Sequence, residues 1–447
     1  MKKVIVIGGN AAGLSAASQI KRQKPAWETI VIEKGRYISY AACGIPYYIA
    51  GLVPELDELI ELTPKQVIEE RKIDLRLQHE VTNINPDEKV VELKTPTGTT
   101  TESFDFLVIS TGAIPSTKGI TVSGTDRIFT ISNLESTEKI TDFMTQEKPQ
   151  TCAVIGGGYI AVEMLEAFRS KGLETHMIHR REDLSNTFEK ELSNFIKEKM
   201  RKEGIILHLN THIKRVDEKN NKVVISTETG ELLYDFVVIA TGVAPNTAFL
   251  KASGIELGIK NSVKVNTRMQ TNYPYIYAAG DCAQTTNLIT GRPDYVALAL
   301  KANREGYVAG VNICGGQDEF PGVLGTAITK IFDLGIARTG LSLEQAQTLN
   351  FNPVKYLVSG RSRARYYPGG GQLHTVVIAG KDDGRILGAQ LAGPLDAVKR
   401  IDVYAVMIQN KMTIADAFNL DVSYAPPFAP VYDPVVLAAR VGKKYID

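Results

Sequence analysis

One thiol stands out by its setting. Cys43 lies in Ser39-Tyr40-Ala41-Ala42-Cys43-Gly44-Ile45-Pro46-Tyr47, where glycine and proline shape the backbone but carry no chemistry of their own. As a thiolate, such a residue can attack a disulfide and receive electrons from a neighbouring redox group. By residue type alone, a lone cysteine reads first as a buried structural one, so its surroundings must decide. The other three cysteines, at 152, 282 and 314, form no CxxC pair, and four in a chain this long make no disulfide framework. All three read as structural. The six histidines show neither HExxH nor clustered spacing, so no metal site is expected.

Two glycine-rich turns follow short apolar runs. In the first, Val4–Ile7 feeds Gly8-Gly9-Asn10-Ala11-Ala12-Gly13, and a helix follows with Leu14, Ala17 and Ile20 on one face. Glycines there let the chain turn sharply at a helix N-terminus, where backbone amides and the helix dipole meet a pyrophosphate. Asn10 occupies the usual middle glycine. A second strand, Thr29–Ile32, ends at Glu33, placed for ribose hydroxyls, with Lys34 beside it. Gly280-Asp281, much later in the chain, strengthens an FAD assignment, because Asp281 can bond the ribityl or pyrophosphate region. The plainer reading of Asp281 is a helix N-cap.

The second turn is the fuller fingerprint. Ala153–Ile155 leads into Gly156-Gly157-Gly158-Tyr159-Ile160-Ala161, and then a helix carries Val162, Leu165 and Phe168. Its strand Thr175–Ile178 ends at His179-Arg180-Arg181, where an NAD site would carry an acidic residue. Arginines there suit a 2′-phosphate, so NADPH is expected over NADH, with NADH possible. The plainer reading has both arginines on a solvated turn, paired with Glu182.

The elements that must position these residues form an α/β chain of 447 residues, long enough for two or three domains. Residues 1–147 and 241–320 read as an interrupted FAD-binding domain, and 148–240 as an inserted NAD(P)-binding domain. Both are Rossmann-like, and 321–447 reads as an α+β domain. Strand-like runs include Val90–Lys94, Phe106–Ser110, Lys222–Thr227 and Phe236–Ala240, with linkers at Glu147–Gln150 and Gly315–Gly322. Composition is that of an ordinary globular protein, at 44% hydrophobic and 23% charged residues. With 51 basic and 50 acidic side chains, there is no electrostatic case for nucleic acid or an anionic membrane. No run reaches a bilayer span, and the start MKKVIVIGG has too short an apolar stretch for a signal peptide. A cytoplasmic protein is expected.

Along nearly its whole length the chain resembles the single-cysteine pyridine nucleotide-disulfide oxidoreductases. Within them it looks most like coenzyme A disulfide reductases and NAD(P)H-dependent persulfide or polysulfide reductases. GGNAAG at 8–13, STGAIPS at 110–116 (with Thr111 and Gly112), GGGYIAVE at 156–163, ATGVAPN at 240–246 (with Gly242) and IYAAGDCA at 276–283 mark the superfamily. SYAACGIPYY at 39–48, YYPGG at 366–370, KRIDV at 399–403 and YAPPF at 424–428 point to this branch. The resemblance implies that Cys43 is the redox nucleophile and that the 321–447 region is a dimerisation domain reaching the partner's active site. In that homodimer Tyr366 and Tyr424 would approach Cys43 of the other subunit and assist proton transfer. Their plainer reading is interface packing.

The resemblance also implies a small-molecule disulfide or persulfide as substrate, with coenzyme A bound by Ser15, Gln19, Lys21, Arg22, Ser39, Arg71, Asn303 and Arg304. For Lys21 and Arg22, the alternative is simple complementing of a helix C-terminus. The sequence departs from the pattern at three places: Ala42 replaces a common Asn, Asn303 a His, and Tyr432 a Lys. These changes bear on coenzyme A recognition and leave sulfur reduction in place. The competing readings are an NAD(P)H oxidase or peroxidase cycling Cys43 through a sulfenic acid, and a non-catalytic redox-sensing flavoprotein that binds a partner. Against the first, such oxidases carry a histidine in the first glycine loop, where this chain has Ala11. A glutathione reductase-like enzyme would need a cysteine pair and a C-terminal His–Glu dyad, and the sequence has neither.

Overall fold

The computed structural model describes residues 1–185 and 188–446. Lys3–Ile7 is a run of β-branched residues buried along almost its full length, as expected of a parallel strand covered on both faces. It is the centre of a five-stranded parallel sheet in the order Ile276–Ala278, Phe106–Ile109, Lys3–Ile7, Glu28–Glu33, Asp74–Leu77. The helix Ala11–Gln23 buries Leu14, Ala17 and Ile20 as its spacing requires. Its partner is Ala299–Ile313, and the two cross with backbones nearly touching. A Cβ on Gly306 would lie 2.1 Å from the Ala12 carbonyl oxygen, and one on Gly310 would lie 2.7 Å from that of Ala16.

The second sheet repeats the plan. Its parallel order is Ile128–Phe129, Phe236–Ile239, Thr151–Ile155, Glu174–Ile178, Ile206–His208. Ile128–Phe129, on the N-terminal side of the expected boundary at 147, hydrogen-bonds into this sheet. The helix Tyr159–Ser170 packs on it through Val162, Leu165 and Phe168, all fully buried.

From Ala327 the pattern becomes antiparallel, in the order Ala327–Ile331, Leu334–Gly340, Ile386–Pro394, Gln372–Gly380, Pro353–Arg361. The helices Ile401–Gln409 and Pro434–Gly442 cover it through Tyr404, Met407, Val435 and Ala438. Ion pairs from Lys355 to Glu189 at 3.1 Å and to Glu191 at 2.9 Å fasten this sheet to the second one. Among the described residues no helix is long and apolar enough to cross a membrane.

Candidate active site

The segment carrying Cys43 is pinned at both ends to different sheets. Ser39, at φ +48°, donates its amide to the Gly9 carbonyl at 2.9 Å, tying the start to the first glycine turn. The short turn Ala42–Gly44 then enters the helix Ile45–Ala50, whose Ile45 and Ile49 join the core built around the Tyr159–Ser170 helix. Cys43 sits between these anchors and is exposed. The buried structural reading of a lone cysteine is therefore wrong here, whereas Cys152 and Cys282 are buried.

Although the residue is open to solvent, its thiol is partly shielded by the protein around it. Surrounding protein withdraws enough water to raise its pKa, and the Glu163 and Asp281 carboxylates push in the same direction. Glu163 comes from the helix Tyr159–Ser170 and accepts from Thr329 Oγ1 at 2.6 Å. Its own pKa is raised by burial, with Glu166 adding to the effect. Tyr47 lies in the same field, and the Lys330 Nζ, ion-paired with Glu166, stands 5.6 Å from its ring centre. Sequence reasoning missed Glu163. The only signal was its place on the helix that opens the second fingerprint.

The first nucleotide turn is closed tightly. Gly8 has φ +104°, and a Cβ there would lie 2.3 Å from the Ser110 carbonyl oxygen, while one on Gly13 would lie 1.9 Å from that of Gly8. The Glu33 carboxylate accepts the Gly9 and Gly35 amides, one on each oxygen, both at 2.8 Å. Each oxygen keeps a lone pair for a ribose hydroxyl; Lys34 beside it is exposed. Thr111 is tied to the Asn246 carbonyl at 2.7 Å, and Gly112 faces open space. Asp281 accepts the backbone amide of Leu298, but Leu298 is itself the N-cap of the helix Ala299–Ile313, so Asp281 is not the helix N-cap of the plainer reading. Its Oδ1, however, is buried without a partner. A buried orphan acceptor beside a dinucleotide turn fits the hydroxyls of a flavin dinucleotide.

At the second turn, Gly158 again faces open space, Tyr159 packs edge-on against Phe188 with ring centres 5.4 Å apart, and Ile160 is exposed. The His179 ring covers Gly157, where a Cβ would meet it at 2.8 Å, and its Nε2 contacts the Asp183 carbonyl at 3.1 Å. Arg180 and Arg181 are exposed, and among the described residues neither has a carboxylate partner. Glu182 contacts Lys197 at 3.5 Å and Asn210 at 2.8 Å instead. A third cation, unread in the sequence, joins them. The Lys118 Nζ lies 3.4 Å from where a Cβ on Gly242 would be, and burial with Arg180, Lys260 and Arg181 nearby lowers its pKa.

Most of the expected substrate residues gather on the seam of the helices Ala11–Gln23 and Ala299–Ile313. The Ser15 hydroxyl donates to the Asn303 carbonyl at 2.9 Å, Arg22 donates to Gln19 at 2.8 Å, and Arg71 reaches Ser18. Lys21 turns away and donates to the Pro25 and Trp27 carbonyls, at 2.8 and 2.9 Å. Asn303 and Arg304 line a cavity of about 430 Å³ with Tyr307, Phe320 and Gln409. Tyr366 and Tyr424 are exposed and hydrogen-bonded to each other, which raises the Tyr366 pKa.

Two parallel dinucleotide folds, a thiol between them and an antiparallel third unit define a flavin- and pyridine nucleotide-dependent oxidoreductase. Residues 2–306 match the family described as pyridine nucleotide-disulphide oxidoreductase, and residues 326–434 match its dimerisation domain. The chain belongs to that family, whose chemistry uses FAD and NAD(P)H. It is 39% identical to an NAD(P)H coenzyme A polysulfide/persulfide reductase of Pyrococcus horikoshii, over 99% of this chain and 98% of that one. Identity to a coenzyme A disulfide reductase of Staphylococcus epidermidis is 33%, covering 98% of this chain and 99% of the relative. The solved structure of an NAD-dependent persulfide reductase from A. fulgidus superposes with a TM-score of 0.95 at 34% identity, spanning 99% of this chain and 83% of that one.

Proposed function

We propose that the protein reduces a low-molecular-weight disulfide or persulfide, coenzyme A disulfide or coenzyme A persulfide above all, through Cys43 at the expense of NADPH. One observation carries this reading. The exposed thiol stands in the field of one carboxylate from each nucleotide fold, Asp281 from the first and Glu163 from the second. A thiol at that junction suits an electron path from nicotinamide through flavin to sulfur.

When bound, the flavin supplies a two-electron path from nicotinamide to sulfur. Gly8, Gly13, Glu33 and Asp281 hold it, with Thr111 and Gly112 at the crossing loop. The Cys43 thiolate attacks one sulfur of the substrate disulfide, forming a mixed disulfide on Cys43 and releasing the other half as a thiolate. Two electrons and a proton then free the second thiol and restore Cys43. In a homodimer, the exposed Tyr366–Tyr424 pair of one subunit would face the Cys43 of the other and give the leaving sulfur its proton. The exposed Phe428, Val431 and Tyr432 beside that pair support such an apolar contact between copies. Ser15, Gln19, Arg22, Ser39, Arg71, Asn303 and Arg304 are the coenzyme A candidates, and Lys21, already engaged, is the weakest of them. Arg180 and Arg181 favour the 2′-phosphate of NADPH.

The test is NADPH oxidation under nitrogen, comparing coenzyme A disulfide with coenzyme A persulfide. Clear turnover of either is expected, and Cys43→Ser should lose it by about a thousandfold or more while retaining FAD. Undiminished turnover in that variant would refute the mechanism. Equal NADPH consumption with oxygen alone would favour the oxidase reading.

A further inference from the structure

The Gly280-Asp281 loop is held by a charged pair that solvent does not reach. Lys301 and Glu305, one helical turn apart on Ala299–Ile313, have side chains 1% and 0% exposed. The Glu305 Oε2 accepts the Gly280 amide at 2.9 Å and the Lys301 Nζ at 2.8 Å. The same Nζ also donates to the Gly280 carbonyl at 2.9 Å and the Ala283 carbonyl at 3.3 Å. All three ammonium protons are thus used. Gly280 is gripped at both its N–H and its C=O, in a left-handed conformation of φ +84°. Its remaining side is closed as well, since a Cβ would come within 2.9 Å of the Ala12 Cβ in the first glycine turn.

Stability alone gives no reason for this arrangement. Taking two charges out of water is costly, and apolar side chains of similar volume often serve the fold equally well. Among the described residues, two acceptors beside the pair also have no partner, Glu305 Oε1 and Asp281 Oδ1. Burial pushes the Glu305 carboxyl up to about 7 against the pull of Lys301. Burial raises the Asp281 pKa, and the same ammonium only partly offsets that rise.

We infer that Lys301 and Glu305 are positioning residues for the flavin dinucleotide, fixing Gly280 so that Asp281 meets the ribityl–pyrophosphate stretch. This rests on the flavin reading of the first site. The pair touches only the loop; Asp281 touches the cofactor.

Apoprotein of the full chain is titrated with FAD, beside its melting temperature and its affinity for NADP+, which binds the other fold. The variants are Lys301→Met, the apolar double Lys301→Met/Glu305→Leu, and Glu305→Gln. The double variant should melt close to wild type yet bind FAD about tenfold or more weakly, with NADP+ affinity within about twofold. Glu305→Gln keeps an acceptor for the Gly280 amide and should hold FAD within about threefold of wild type. A double or Lys301→Met variant with wild-type FAD affinity and flavin midpoint potential would overturn the inference. So would FAD and NADP+ affinities falling together, or failure of every Lys301 variant to fold, since a structural role would then suffice. Wild-type apoprotein that takes up no FAD would instead sink the flavin reading itself.

Discussion

The two nucleotide folds share the order of four parallel strands and a glycine turn, and differ in the charge at the end of the second strand. In each, a left-handed glycine lets the turn pass under a neighbouring strand. A Cβ on Gly8 would strike the Ser110 carbonyl oxygen at 2.3 Å, and one on Gly156 would strike that of Ala240 at 2.2 Å. At the end of the second strand, the first fold has Glu33, already holding the Gly9 amide. The second has His179, which covers Gly157 with its ring, followed by two arginines and approached by Lys118. On the proposed reading, pyrophosphate binding belongs to the shared turn, and the choice of dinucleotide to the sign of charge one strand away.

The sharpest way to break that equivalence is to fill the glycines. Gly8→Val should lower FAD retention by about a hundredfold or more and spare NADP+ binding, and Gly156→Val should do the reverse. Flavin absorbance and calorimetry with NADP+ read both, and loss of both ligands in either variant would show that the folds are not separable. A smaller effect is expected at the charged corner. Arg180→Ala with Arg181→Ala should reduce kcat/KM for NADPH by about thirtyfold and leave NADH within about threefold; Lys118→Gln should give a weaker loss of the same kind. Wild-type kcat/KM about tenfold higher with NADH would reverse the assignment.

The smallest effect concerns the thiol between the folds. Glu163 holds the Cys43 pKa up, so Glu163→Gln should lower it and increase the thiolate fraction below the ordinary thiol value. Iodoacetamide labelling of Cys43 near pH 8 should quicken by about threefold. Asp281→Asn offers the matching test from the first fold. An unchanged labelling rate in both would leave desolvation as the sole cause.

Both fingerprints, the charge contrast at Glu33 and Arg180-Arg181, and the segment around Cys43 could be read from sequence because each is set by residues adjacent in the chain, whereas the exposure of Cys43 could not. What sequence did not reveal depends on contacts across long separations. Lys118 reaches the second turn from the connecting segment, and Glu163 meets Cys43 only once Ile45 and Ile49 dock on its helix. Lys301 and Glu305 look like a solvated helix pair by spacing, and only the burial of their helix against Ala11–Gln23 reveals otherwise. Spacing likewise did not reveal that the Lys21 ammonium donates to the Pro25 and Trp27 carbonyls.

The close crossing of Gly306 and Gly310 over Ala12 and Ala16 also sets a schedule. The second sheet is complete once the ribosome has passed Ile239, whereas the first still lacks Ile276–Ala278 and its covering helix. The fold begun first is therefore the one finished last. Until then Phe106–Ile109 keeps a bare edge and the helix Ala11–Gln23 a bare face, the stretch where a nascent chain of this protein most needs protection from its neighbours.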